Sequence, residues 1–470
     1  MKKSFLAISL LATSMLLAGC SFKNILDNSN SDNSGNTNSN SGSESTPTGT
    51  AEWTLMFYVC GADLESEDFA DDPNYTQQEA QEYGYGNTTL AGYASRDIDE
   101  LLAVSKPNNV NIILETGGCK NWAKSEIPSN KLGRWHVANG KLVNDSKETI
   151  ASMGLSTTFQ SFLEWGFKSY PAKKYGVFMW NHGGAMDGCC FDERYSNDSL
   201  TADEVDTALT KAKNNQHISG NLEFIAYDAC LMAVQDIAEV NSHHFNYMVC
   251  SQESEYAGGY DYDAWLPTLY ADPANVSALT ICNKIADTFI AEQNASADEY
   301  NNYYGLKPSD DDYWPQDQTQ SVLDLSKMAA YKTAFDNFST GLAGIITSKS
   351  KWNSFASLLK GSNVQKYGYD GSQNYDYVYD IYNLAGTKGV LTAMKSGSTY
   401  SSISTQITAL ETALNNLVVH KINGKEIYGC GLCLAAPANG WLYKPTYQQQ
   451  TNFDVWYSLC SQYGNWYSNY

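Results

Sequence analysis

The stretch Tyr175-Gly176-Val177-Phe178-Met179-Trp180-Asn181-His182-Gly183-Gly184 begins as an unbroken apolar run and stops abruptly in a polar, glycine-rich loop. A short apolar run bounded by turn residues is what a strand buried on both faces of a sheet requires. Residues 222–227 repeat the pattern and run into Asp228-Ala229-Cys230. Working outward, residues 53–60, 109–114 and 246–251 read as three more such strands. Amphipathic stretches at 94–104, 158–167 and 202–213 lie between them. Ser199 or Thr201 is placed to cap the last, where Asp203 and Glu204 suit the positive helix end. Strands alternating with helices predict an α/β fold with a mostly parallel central sheet and helices on its faces. Residues 276–420 read as largely helical with polar loops, and 427–436 as a late strand that rejoins the sheet. There is no internal repeat and no phosphate-binding glycine loop, so nucleotide chemistry has no support.

In an open parallel sheet, ligands bind beyond the carboxyl ends of the strands, so reactive residues just past a strand carry most weight. His182 and Cys230 both occupy that position. The glycines after His182 let backbone N–H groups approach a substrate. Residues 231–240 read as a helix, which would place Cys230 near a helix N-terminus, where dipole and unpaired amides favour a thiolate. The other five of the six His have no glycine loop beside them. A nucleophile and its base are the reading that follows.

Trp180-Asn181-His182-Gly183-Gly184, Cys190-Phe191-Asp192-Glu193 and Tyr227-Asp228-Ala229-Cys230-Leu231-Met232 together resemble the clostripain family of cysteine peptidases. The resemblance extends over most of residues 53–270, including Gly61-Ala62-Asp63-Leu64 and Ser251-Gln252-Glu253-Ser254-Glu255. It implies a caspase-like α/β/α sandwich over 53–270, with 271–470 as a largely helical C-terminal region. It also implies a His182–Cys230 dyad hydrolysing protein or peptide substrates, for which the backbone amides of Gly183 and Cys230 are the nominated oxyanion donors. Cleavage after Arg or Lys is implied as well, with Asp228 and Glu255 facing a basic side chain. Where the family continues with Pro and an acidic residue before Gly, this chain has Tyr256-Ala257-Gly258-Gly259-Tyr260. One expected pocket carboxylate is therefore missing, and Asp261 or Asp263 are the substitutes at hand. Some relatives mature by internal cleavage between the two strands, where this chain offers Arg194 in a polar loop ahead of Lys211 and Lys213. The dyad requires no cofactor. Calcium dependence follows from the same resemblance, with Asp310-Asp311-Asp312 supplying oxygen ligands. Cys189 and Cys190 lack metal-ligand spacing, so no metal is assigned to them with His182. The rival reading is a catalytically silent caspase-fold surface lipoprotein that binds a peptide or host partner.

The N-terminus sets the expected compartment. Met1-Lys2-Lys3 and the apolar residues 5–17 form an export signal, and Leu17-Ala18-Gly19-Cys20 resembles the bacterial lipobox, in which Cys20 carries the lipid. Residues 21–52, rich in Ser, Asn and Gly, cannot bury enough apolar area to fold and read as a tether. Residues 1–20 are then the signal, and the chain is expected in the bacterial envelope, lipid-anchored and extracytoplasmic. A net charge of −22 disfavours nucleic acid as a partner. Of eleven Cys, those at 60, 250 and 433 sit in apolar runs and read as buried hydrophobes, and no dense disulfide framework is implied.

Overall fold

The computed structural model describes residues 50–68, 89–145, 149–256, 258–310, 313–360, 364–368, 378–382, 389–434 and 452–464. The export signal, Cys20 and the tether to residue 49 lie outside the described residues, as do Ala257, Asp311 and Asp312.

Five strands form the parallel centre: β1 (Ala51–Cys60), β2 (Val110–Gly117), β5 (Ala172–Trp180), β8 (Leu222–Asp228) and β9 (Phe245–Cys250). β3 (Gly133–Ala138) and β4 (Lys141–Asn144) extend one edge antiparallel. β10 (Thr319–Asp324) and β13 (Val418–Asn423) extend the other, giving the order β13-β10-β9-β8-β5-β1-β2-β3-β4. Two hairpins stand apart, β6 (Cys189–Asp192) with β7 (Asp198–Leu200) and β11 (Gln365–Tyr367) with β12 (Val378–Asp380).

Side chains alternate along β1 as the pleat demands. Trp53, Leu55, Phe57 and Val59 enter one core, and Met56, Tyr58 and Cys60 the other. The first core is covered by α2 (Tyr93–Ala103), α6 (Tyr262–Ala271) and α7 (Ala278–Tyr304). The second is covered by α3 (Ser156–Ser169), α4 (Ala202–Asn215) and α5 (Gln235–Asn241), joined by the later helices α8 (Met328–Ile345), α9 (Lys349–Lys360), α10 (Val390–Ser396), α11 (Ser404–Leu417) and α12 (Asp454–Gly464). The short α1 (Ala62–Ser66) follows β1. This is the expected α/β/α sandwich. Thr201, rather than Ser199, caps α4, in a capping box with Glu204. No helix of the described residues is long and apolar enough to cross a membrane.

Two expectations change. The late strand that joins the sheet is β13, not residues 427–436. Gly431 has φ +95°, which turns the chain out of extended geometry. Cys433 instead pairs beside Val234, donating to Ala233 O (2.7 Å) and accepting from Gln235 N (3.0 Å). β10 was read as part of a helical stretch, because Thr319-Gln320-Ser321 carries no apolar signal although all three residues are buried.

Phe178 is fully buried, stacked on Phe57 at 4.3 Å between centroids and on Trp265 at 5.5 Å. Phe178→Ala is expected to cost about 3–5 kcal/mol in urea unfolding. Ile150→Ser, at a side chain 72% exposed, is expected to change stability by less than about 0.5 kcal/mol.

Candidate active site

Strand order reverses around β1, because the chain places β2 on one side of it and β5 on the other. In such sheets the binding crevice lies at the switch point, beyond the carboxyl ends of the strands. Trp180 pairs in register with Asp228, so His182 and Cys230 each stand two residues past a paired position on neighbouring strands. Val59 pairs with Trp180, which brings the loop after β1 to the same rim.

Asn181 joins these loops. Its Nδ2 donates to Cys60 O at 2.7 Å, its Oδ1 accepts from Phe191 N at 2.7 Å, and its own amide donates to Asp228 O at 3.3 Å. The residue is 3% exposed. The next turn is held by Cys190 N donating to His182 O (3.3 Å) and Gly184 N to Gly188 O (2.8 Å). Gly183 is required there, since a Cβ would lie 1.9 Å from Cys230 O. The two loops that carry the candidate dyad are therefore in direct contact.

Cys230 does not sit at a helix N-terminus as its sequence suggested. α5 begins only at Gln235, and Leu231 has φ +64°, so residues 230–234 form an irregular loop. The donor at the sulfur is instead the Glu255 amide, 3.2 Å from Cys230 Sγ. A thiolate accepts such a bond more strongly than a thiol does. Leu231 N donating to Glu253 O (3.1 Å) and Ala233 N to Ser251 O (2.8 Å) hold segment 251–255 along the loop. Cys230 is half-buried.

A carboxylate not assigned a role from sequence stands on the imidazole: His182 Nε2 lies 2.8 Å from Asp63 Oδ1. Burial works to raise the Asp63 pKa, but the hydrogen bond and charge of His182 outweigh it and hold the carboxyl below its usual range. Its sequence signals were its place just past β1 and the Gly61-Ala62-Asp63-Leu64 stretch of the resemblance. Glu65, fully buried, steadies this loop by accepting from Ser95 N (2.9 Å), Ser95 Oγ (2.5 Å) and Ala123 N (2.7 Å). Burial raises its pKa to about 7 against those bonds.

Behind Cys230 lie three acids. Asp228 accepts from Tyr262 Oη (2.6 Å) and Tyr260 N (3.0 Å), and burial pushes its pKa up to about 6 despite these donors. Glu255 accepts from Gln320 Nε2, while its buried Oε2 has no hydrogen-bond partner among the described residues. Burial, then the Asp228 charge, raises the Glu255 pKa well above the usual range. The third acid, Asp97 on α2, was missed because it lies on a helix far away in the chain. It accepts from Trp180 Nε1 at 2.6 Å and is likewise pushed well up by burial and then by Asp228. A Cβ on Gly259, whose φ is +60°, would lie 2.6 Å from Asp97 Oδ2 and 3.1 Å from Asp228 Oδ2. Only glycine lets the backbone pass so close to both carboxylates.

Asp261 and Asp263, the expected substitutes, sit at the start of α6, where they cluster with Glu100. Arg194 lies on the exposed turn joining β6 to β7, its guanidinium donating to Ser129 O at 3.1 Å. Lys211 and Lys213 lie within α4. Cys189 and Cys190, at the start of that hairpin, are buried in the core, and none of the ten described cysteines forms a disulfide. Asp310 caps its own turn, accepting from Lys307 N at 2.8 Å. Neither His182 nor Cys230 belongs to the metal-compatible clusters found among the described residues, which are Asp206 with His243 and His244, and Glu100 with Asp261 and Asp263.

Comparison with known proteins bears on the family and the fold. Residues 83–468 match the model of the clostripain family. Clostripain of Hathewaya histolytica is 22% identical over 359 residues, covering 64% of this chain and 64% of that protein, so the chain matches a little under two thirds of that relative's length. A secreted C11 cysteine protease of Bacteroides thetaiotaomicron, solved with an irreversible peptide inhibitor, superposes with a TM-score of 0.55 at 16% identity, over 88% of this chain and 99% of that one. An inactive zymogen C11 protease of Parabacteroides distasonis gives 0.53 at 16% identity, over 90% and 98%.

Proposed function

The chain belongs to the clostripain family, and on that premise we propose that it is a lipid-anchored cysteine endopeptidase that cleaves after Arg or Lys through Cys230 and His182. The carrying observation is the acidic floor of the crevice. Glu255 directs its amide at Cys230 Sγ, and its carboxyl, like that of buried Asp97, lies within reach of the Asp228 charge. Three carboxylates confined in low dielectric resist ionising together, and a basic side chain entering among them relieves that cost.

The chemistry runs as acyl transfer. Cys230 Sγ attacks the scissile carbonyl, forming an S–C bond and an oxyanion held by the amides of Gly183 and Cys230. His182 passes its proton to the leaving amine as the C–N bond breaks, and water attacks the thioester to free the carboxylate product and the thiol. Asp63, bonded to Nε2, leaves Nδ1 as the nitrogen that exchanges the proton and stabilises the imidazolium that forms.

The Leu17-Ala18-Gly19-Cys20 signature supports export and lipidation, and with them a site of action outside the cytoplasm. Maturation by cleavage after Arg194 is supported by the exposure of that turn between the His182 and Cys230 strands.

Peptide reporters with Arg, Lys, Asn, Asp or Leu at P1, with and without calcium and reductant, test the activity. Turnover is expected with Arg and Lys only, and none from Cys230→Ala. Asp228 loses its charge below about pH 6, so the preference for Arg over Leu is expected to fall about tenfold between pH 7.5 and pH 5. Equal cutting of Leu reporters would end the basic-P1 reading, and no turnover at all would favour a silent binding lipoprotein.

Asp63→Asn is expected to lower kcat about 10–100-fold with little change in KM or in stability, and Asp63→Glu to restore part of it. An unchanged kcat would remove Asp63 from the mechanism.

Intact mass of the protein taken from membranes reads both processing steps. A diacylated N-terminus at Cys20 is expected in wild type and in Cys230→Ala, whereas cleavage after Arg194 is expected in wild type alone. A single unlipidated chain in both would contradict both steps.

A further inference from the structure

Asp206 on α4 and the adjacent pair His243-His244, in the turn between α5 and β9, converge away from the Cys230 crevice and have no part in its chemistry. Asp206 Oδ1 lies 3.1 Å from His243 Nδ1 and 2.9 Å from His244 Nε2. One ligand atom from each residue falls within 4.8 Å of the others. Around a tetrahedral Zn²⁺ with bonds of about 2.0–2.1 Å, ligand atoms stand about 3.3 Å apart, so the two Asp206 contacts would need to open by only a few tenths of an ångström.

A second carboxylate is built behind the first. Glu239 is 6% exposed, its Oε1 lies 3.4 Å from His243 Nε2, and its buried Oε2 has no partner among the described residues. His243 therefore offers Nδ1 to the cluster while its far nitrogen faces a carboxylate, the arrangement that orients metal-bound histidines. Asn452, just ahead of α12, fixes Glu239 by donating to Oε1 at 2.9 Å. The cluster brings two anionic side chains against two imidazoles that are neutral when they ligate, which a divalent cation balances. His244 is buried, whereas His243 and Asp206 reach the surface, so the ion would enter directly and keep a position for water.

We propose that Asp206, His243 and His244 bind one divalent transition-metal ion of the Zn²⁺ class, with Glu239 orienting His243. Two imidazoles and one carboxylate suit Zn²⁺, Co²⁺ or Ni²⁺ better than Ca²⁺, which takes oxygen ligands. The ion clamps α4 to the turn after α5, bracing the two elements that flank the Cys230 strand in sequence.

The test uses the full chain carrying Cys230→Ala, so that the dyad cannot capture metal through its thiolate. One equivalent of Co²⁺ is expected, with a visible ligand-field spectrum of nitrogen and oxygen coordination and no thiolate-to-metal charge-transfer band. Zn²⁺ is expected to displace it and to raise the thermal midpoint. His243→Ala, at an exposed side chain, and Asp206→Asn are each expected to weaken Zn²⁺ at least tenfold while unfolding like the parent without metal. Unchanged affinity in both variants, a thiolate band, or no saturable binding at micromolar metal would each overturn the site and leave Asp206 as a hydrogen-bond bridge between two histidines.

Discussion

The side chain of Asn181 is the constraint on which the crevice depends. Three loops must converge for the site to exist: the one after β1 with Asp63, the one after β5 with His182, and the one after β8 with Cys230. Parallel pairing delivers their starting points in register but does not dictate where irregular backbone goes next. Asn181 closes that freedom by bonding Cys60 O and Phe191 N with its amide and Asp228 O with its backbone. Buried backbone groups left without partners cost about 1–3 kcal/mol each, so the loops are held by the penalty for separating them. An Asp there would lack the donor that Cys60 O needs, and a Gln would overshoot both partners by a methylene.

With the loops fixed, electrostatics divides the site into two halves. On the rim, His182 and Asp63 form a half-exposed pair whose attraction is screened and which therefore serves geometry more than stability. In the floor, burial raises the pKa of Asp97, Asp228 and Glu255, and the Asp228 charge raises the other two further. The floor is costly to the fold in isolation, and Tyr260, Tyr262, Trp180 and Gln320 supply the donors that make it tolerable. Gly259 lets the chain cross above two of these acids without a side chain intruding.

Much of this was legible in the sequence, and the reason is local. The five parallel strands are buried on both faces, so their apolar runs announce them, and residues two positions past their ends are found by counting. Residues placed by long-range contact were not legible. Asp97 is one polar residue on an amphipathic helix, and nothing near it in the chain says that Trp180 and Gly259 will close over it. β10 is polar in its first half because its side chains serve the neighbouring loop, so it lacks the apolar run by which buried strands are read. The helix expected after Cys230 starts late because Leu231 takes a left-handed conformation, which an apolar sequence does not advertise.

The contribution of residues beyond 270 follows from the same contacts. Thr319 Oγ1, on β10, accepts from the amides of Gln252 and Glu253 and bonds Ser251 Oγ, each at 3.0 Å, and Gln320 binds the Glu255 carboxylate. Segment 251–255 in turn holds the Cys230 loop and presents the amide that meets its sulfur. Cys433 braces the same loop from its other side through Ala233 and Gln235. Cys230 is therefore gripped by two stretches that arrive about 90 and 200 residues after it in the chain. Because β10 and β13 also complete the sheet edge beside β9, the later half is part of the framework that holds the Cys230 loop in shape.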